Sequence, residues 1–206
     1  PALPIPRAED FEKALKGPLV PPGNYGVRLS AWDIVKSQAF ELITDPRVEI
    51  TTDDLVEQRD FLLQIRDQLS TTHDAIGRIR KMRGQVEEWG NRADEAKSHQ
   101  KIIEGAKSIT SKLSDIENEL VQTNSDGESD MLHYPSRLNR KLAELASVPG
   151  SADATPTQGA RDVFADLSAR LEVQLDKLEK LTINDLVSFT EAVREARISM
   201  VTTDTP

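Results

Sequence analysis

Two hydrophobic periods divide the chain. Around Tyr25, Val27 and Leu29, apolar residues alternate with Gly26 and Arg28, the period-two pattern of a half-buried strand. A second extended run, Gln38 to Thr44, carries Phe40, Leu42 and Ile43. The stretch from Val20 to Pro46 therefore predicts two strands and a turn. A hairpin of two strands is marginal in water and needs a third strand or another surface to cover it. Ahead of it, residues 1–20 carry four prolines and read as an extended lead-in, with one helical turn at Glu9 to Leu15.

Beyond Ile50 the period changes to 3.6. Thr51, Thr52, Asp53 and Asp54 predict a helix start, hydroxyl caps followed by acids near the positive end of the dipole. Apolar positions then fall at Leu62, Ile65, Leu69, Ile76, Ile79 and Val86, with Thr72 in register, over about 40 residues and about 60 Å of helix. Gly77 and Gly84 lie inside this helix as close contacts or mild bends. Trp89 and Gly90 end the strong pattern, and Asn91 to Ser98 read as a connection. A second helix carries Ile102, Ala106, Ile109, Leu113, Ile116 and Leu120 and stops in the turn formers Thr123 to Asp130. A short third helix holds Leu138, Leu142 and Leu145, opened by Tyr134 and Pro135. Thr155 and Gln158 suggest a capping box for a last helix. Its face comprises Phe164, Leu167, Leu171, Leu178, Phe189 and Val193, widened by Leu175, Leu181 and Leu186. Four helices with modest loops predict an elongated antiparallel three/four-helix bundle behind a short N-terminal β-hairpin. The expected division is 1–50 for lead-in and hairpin and 51–206 for the helices.

Composition sharpens this reading. Aromatic residues make up 4% of the 206 residues and charged residues 30%, which favours helices packed through aliphatic side chains. The net charge of −9 argues against a surface that neutralises nucleic-acid phosphates. The most basic run, Arg78 to Arg83, is followed by Glu87 and Glu88 and reads as a solvated helix face. Cysteine is absent, which removes disulfides, thiolate nucleophiles and Cys-based zinc sites. No apolar run approaches the roughly 20 residues of a membrane span. The start PALPIPRAED, without Met, suggests a piece of a longer protein.

Candidate chemistry is sparse. His73 and Asp74 are neighbours in one helix, where adjacent side chains point about 100° apart, so they make a poor acid–base dyad. His99 and Glu104 flank a helix start, and His133 precedes Tyr134. None of these has HxxxH or ExxH spacing for zinc or di-iron. The carboxylate pairs Glu87–Glu88 and Asp53–Asp54 read as solvated faces and caps, with no cleft to hold them as a glycosidase pair. The run SDGESD lacks the ligands of an EF-hand. The residues thus nominate no catalytic, cofactor-binding or metal site. The aliphatic stripes read as core, or as one face kept open for a partner.

Four ordered phrases carry a family resemblance: PPGNYGVRLS, ELITDPRV, RDFLLQIRDQLSTTHDAIGRIRKMRGQV and LHYPSRLNRKLAELASVPGSADATPTQGARDVFADLSARLEVQL. Together, over residues 18–190, they resemble the C-terminal region of large bacterial sortilin-like proteins. Those are BNR/Asp-box β-propeller proteins often labelled glycosyl hydrolases, in which an immunoglobulin-like β-segment precedes a helical region. The chain departs from them in having no SxDxGxxW Asp-box and only two of the roughly seven strands a sandwich needs. The resemblance implies a non-catalytic helical module that packs against a propeller or Ig-like domain of its parent chain, or self-associates. It also implies an exported, periplasmic or extracellular setting. A stand-alone helical adaptor and a helical enzyme of unknown reaction are the alternatives. A deep pocket gathering His73, His99 or His133 with acids would favour the enzyme.

Overall fold

The computed structural model describes residues 17–95, 99–124 and 133–197. The turn expected at Glu9 to Leu15 lies outside them, as do residues 125–130 of the predicted loop. The chain is mainly helical, with one antiparallel hairpin at its N-terminal end. Strands β1 (Gly23–Ala31) and β2 (Ile34–Leu42) precede helices α1 (Thr52–Glu95), α2 (Gln100–Leu120), α3 (Leu138–Ser147), α4 (Gln158–Lys180) and α5 (Leu186–Ala196). A π-helical turn, Leu181–Asp185, joins the last two.

Helix α1 begins where the hydroxyls and acids predict. The Thr51 hydroxyl accepts from the Asp54 amide at 3.2 Å, and the Thr51 amide donates back to the Asp54 carboxylate at 3.0 Å. This reciprocal box satisfies two donors that would otherwise have no partner. The Thr51 hydrogen bonds also hold the Asp54 carboxyl below its ordinary range.

The described residues fall into two compact units, and α1, α3 and α4 each contribute to both. One unit holds residues 17–69 and 142–166. Its helical core buries Phe61, Ile65, Leu69, Leu142, Ala143, Leu145 and Ala160. Phe61, rather than the expected Leu62, is the inward residue of the first turns. Its ring meets Phe164 edge-on at 5.5 Å, while Leu62 is half-buried. The Gln58 amide donates 2.5 Å hydrogen bonds to the Pro149 and Ala152 carbonyls, tying the turn after α3 to α1. Arg161 pairs with Glu57 at 2.5 Å and lies over the Phe61 ring.

The other unit holds residues 70–141 and 167–197. Its core includes Ile76, Ile79, Val86, Ile102, Ile109, Leu113, Leu120, Leu138, Leu171, Leu178 and Phe189. Glu117 of α2 meets Arg80 and Arg83 of α1, whereas Ala106 stands against Gly90. Rising numbers on one helix meet falling numbers on the other, so this pair runs antiparallel. Lys112 pairs with Asp185 at 2.7 Å, and Gly105 lies against Phe189, the same order for α2 and the final helical segment.

Several local expectations are corrected. Helix α1 does not end at Trp89 and Gly90 but continues to Glu95. Gly90 is the close contact, since a Cβ there would sit 2.8 Å from that of Ala106, whereas Gly77 and Gly84 have nothing within 4 Å. Strand β2 starts at Ile34 rather than Gln38, because Ala31 pairs with Ile34 across a two-residue loop. Helix α3 starts at Leu138, three residues after Pro135, whose carbonyl instead accepts from Gln122 at 3.2 Å. The cap of α4 is Thr157, whose hydroxyl accepts from the Ala160 amide at 3.2 Å. Pro156 is buried just ahead of it, and Gln158 turns to Asp162 instead of closing a box with Thr155.

The last helix is interrupted for a readable reason. Leu181 and Phe189 are both buried, yet eight residues at about 100° each would carry Phe189 about 80° past the face. A wide turn takes up one residue, so the step behaves as seven, about 20° short of two turns. The Thr182 hydroxyl donates to the Leu178 carbonyl at 2.7 Å inside this turn.

Candidate interaction surface

The histidines do not converge. His73 is half-buried on α1, and desolvation pushes its imidazole below the ordinary value, with the Asp74 charge opposing. His99 is exposed ahead of α2 in a left-handed conformation (φ 68°), and its carbonyl accepts from Ile102 at 2.8 Å. Glu104 accepts from Gln100 at 3.0 Å rather than engaging His99. His133 is exposed on the approach to α3. Glu88 takes Arg92 at 2.5 Å one turn on, and Asp54 closes the box with Thr51 already described. Among the described residues, no group of three or more His, Cys, Asp or Glu stands close enough to hold a metal ion. No described helix is long and apolar enough to cross a membrane.

The basic run Arg78 to Arg83 corrects a second expectation. Arg78 and Lys81 are exposed, but Arg80 and Arg83 turn inward and engage the two carboxylate oxygens of Glu117. The Glu117 side chain is 3% exposed, so half of the predicted solvated face is a buried ion cluster. The signal was present: Glu117 stands four residues after Leu113 and three before Leu120, in phase with the α2 stripe.

Among the described elements, the hairpin leaves most of its apolar residues exposed. Register pairs Tyr25 with Phe40, Val27 with Gln38, Leu29 with Lys36 and Ala31 with Ile34. Side chains alternate across a strand, so Tyr25, Val27, Leu29, Ile34, Phe40 and Leu42 share one face with Lys36 and Gln38. Asn24, Arg28, Ser30, Val35, Ser37, Ala39 and Glu41 share the other. Tyr25 and Phe40 stack with centroids 6.0 Å apart, and the Tyr25 hydroxyl donates to the Pro21 carbonyl at 2.6 Å. Beyond that pair the apolar face is open: Val27 is 54% exposed, Leu29 67% and Ile34 59%. Every residue of β2 is exposed. Nine residues by two strands make a face of about 300 Å² in all, which Lys36 and Gln38 share with the apolar residues.

The loop at the tip is Trp32 and Asp33. Trp32 has φ 52° and is 97% exposed. Of the two loop residues only Trp32 has positive φ, a place that glycine fills without steric cost and a bulky side chain does not. No family model, curated protein or solved structure matches the chain.

Proposed function

We propose that this chain is a non-catalytic interaction and structural module, the helical C-terminal part of a larger sortilin-like β-propeller protein. In this reading its helices form an antiparallel three/four-helix bundle that supports the hairpin. The hairpin docks by its apolar face on the propeller or Ig-like part of the same polypeptide. The observation that carries the proposal is the open hairpin: Val27, Leu29, Ile34 and Phe40 lie on one face and are all exposed. A ribbon of this kind is marginal in water until something covers it. The helices, by contrast, bury their aliphatic stripes.

The test has two arms. A reading frame that encodes Asp-box repeats upstream of Pro1 supports the parent-protein reading, and a start codon immediately before Pro1 overturns it. In the full polypeptide, Leu29→Lys combined with Phe40→Lys should make the hairpin sensitive to protease while the helices keep their melting temperature. Equal protease resistance in wild type and variant would overturn docking through this face.

A further inference from the structure

We propose that Met82 is a redox-sensitive switch: a peroxide converts its thioether to the sulfoxide, which loosens the π-turn and frees α5 from α2. The switch does not depend on docking of the hairpin. The chain has no cysteine, so reversible oxidation of sulfur falls on methionine. Met82 is half-buried on α1, partly open to a small oxidant yet held in a contact that its product must share. That contact is with the π-turn. The Thr182 hydroxyl, which donates to the Leu178 carbonyl at 2.7 Å, stands 3.9 Å from the Met82 sulfur.

The reaction is an oxygen transfer. A sulfur lone pair attacks one peroxide oxygen, the S–O bond forms and the O–O bond breaks. Sulfur gives up two electrons, and the peroxide leaves as water or an alcohol. A thioether is a weak acceptor, whereas the sulfoxide is polar and accepts strongly through its oxygen. The Thr182 hydroxyl has one proton, so bonding to the new oxygen takes that proton from Leu178. The π-turn is sensitive to this loss because it sets the phase of everything after it. From Leu181, a regular helix would keep Asp185, Ser188 and Ala192 on the buried face, at spacings of four, seven and eleven. The wide turn places Leu186, Phe189 and Val193 there instead. A turn that lets go swings α5 by about 100° and takes Phe189 away from Gly105 of α2.

The experiment uses the full chain with Met131→Leu and Met200→Leu, which leaves Met82 as its single methionine. Dilute hydrogen peroxide should add one oxygen to the Met82 peptide, read by mass. Amide exchange across α5 should then rise at least about tenfold, while α2 around Leu113 stays within about twofold. Methionine sulfoxide reductases should reverse both the mass and the exchange. Met82→Leu should abolish the response, and Thr182→Val should cut it to less than about threefold. Thr182→Ser keeps the hydroxyl and should respond as the parent chain does. Resistance of Met82 to peroxide in the folded chain, or α5 exchange unchanged by oxidation, would overturn the switch. So would an equal rise in α2, which means general unfolding, or an undiminished response in Met82→Leu or Thr182→Val. Loss of the response in Thr182→Ser would overturn it as well.

Discussion

Glu117 shows how one buried charge organises its neighbours. A carboxylate at 3% exposure is tolerable only because Arg80 and Arg83 each occupy one of its oxygens. Glu117→Ala would remove the carboxylate that the partly buried Arg80 and Arg83 guanidinium groups share. We expect it to cost about 3 kcal/mol in urea unfolding, far more than the loss of an exposed ion pair such as Arg66 with Asp67. His73 adds a pH dependence. Burial lowers its folded-state value below the ordinary 6.5, so the unfolded chain binds the proton more readily. Stability should accordingly fall as pH drops through the region just below 6.5 and recover above it. The slope measured by denaturation between pH 5 and 7 should shrink in His73→Gln. An unchanged slope would assign that pH dependence to other groups.

Among the elements, α1 carries three glycines with opposite prospects. Gly77 and Gly84 are exposed in mid-helix with open space around them. Alanine at either should stabilise thermal unfolding by about 0.5–1 kcal/mol through helix propensity. Gly90→Ala gains the same propensity but drives a methyl to 2.8 Å from the Ala106 Cβ, so α1 and α2 must move apart. A net loss of about 1–2 kcal/mol is expected. Stabilisation at all three positions would show that α2 does not approach Gly90 as described. The stripes have their own check: Leu113 and Leu171 are fully buried, and alanine at either should cost about 2–5 kcal/mol. At this scale the helix faces of α2 and α4 were legible in advance, because periodicity reports directly which side is apolar. The π-turn was not, because a one-residue insertion matters only once Leu181 and Phe189 are required to share a face.

For the whole molecule, the contrast between helices and hairpin should be measurable without a partner. Amides of the β1–β2 ladder, exposed on both faces, should exchange with deuterium at least about 100-fold faster than those of α2 around Leu113. Equal protection would mean the ribbon is covered in solution. Taken alone, the sequence determined the class of each segment: period two for the hairpin, period 3.6 for the helices, and hydroxyl-plus-acid signals for the start of α1. These are local properties, set by backbone geometry and by which side chains must leave water. Only the tertiary structure decided which of several equivalent residues is used. Phe61 rather than Leu62 faces inward because Phe164 lies beside it, and Gly90 rather than Gly77 admits a neighbouring helix. Arg80 and Arg83 fold inward because Glu117, more than thirty residues away in sequence, waits on the α2 stripe. The same holds for the open face of the hairpin. Alternation says that Val27, Leu29 and Phe40 belong together, but only the structure shows that all three stay exposed.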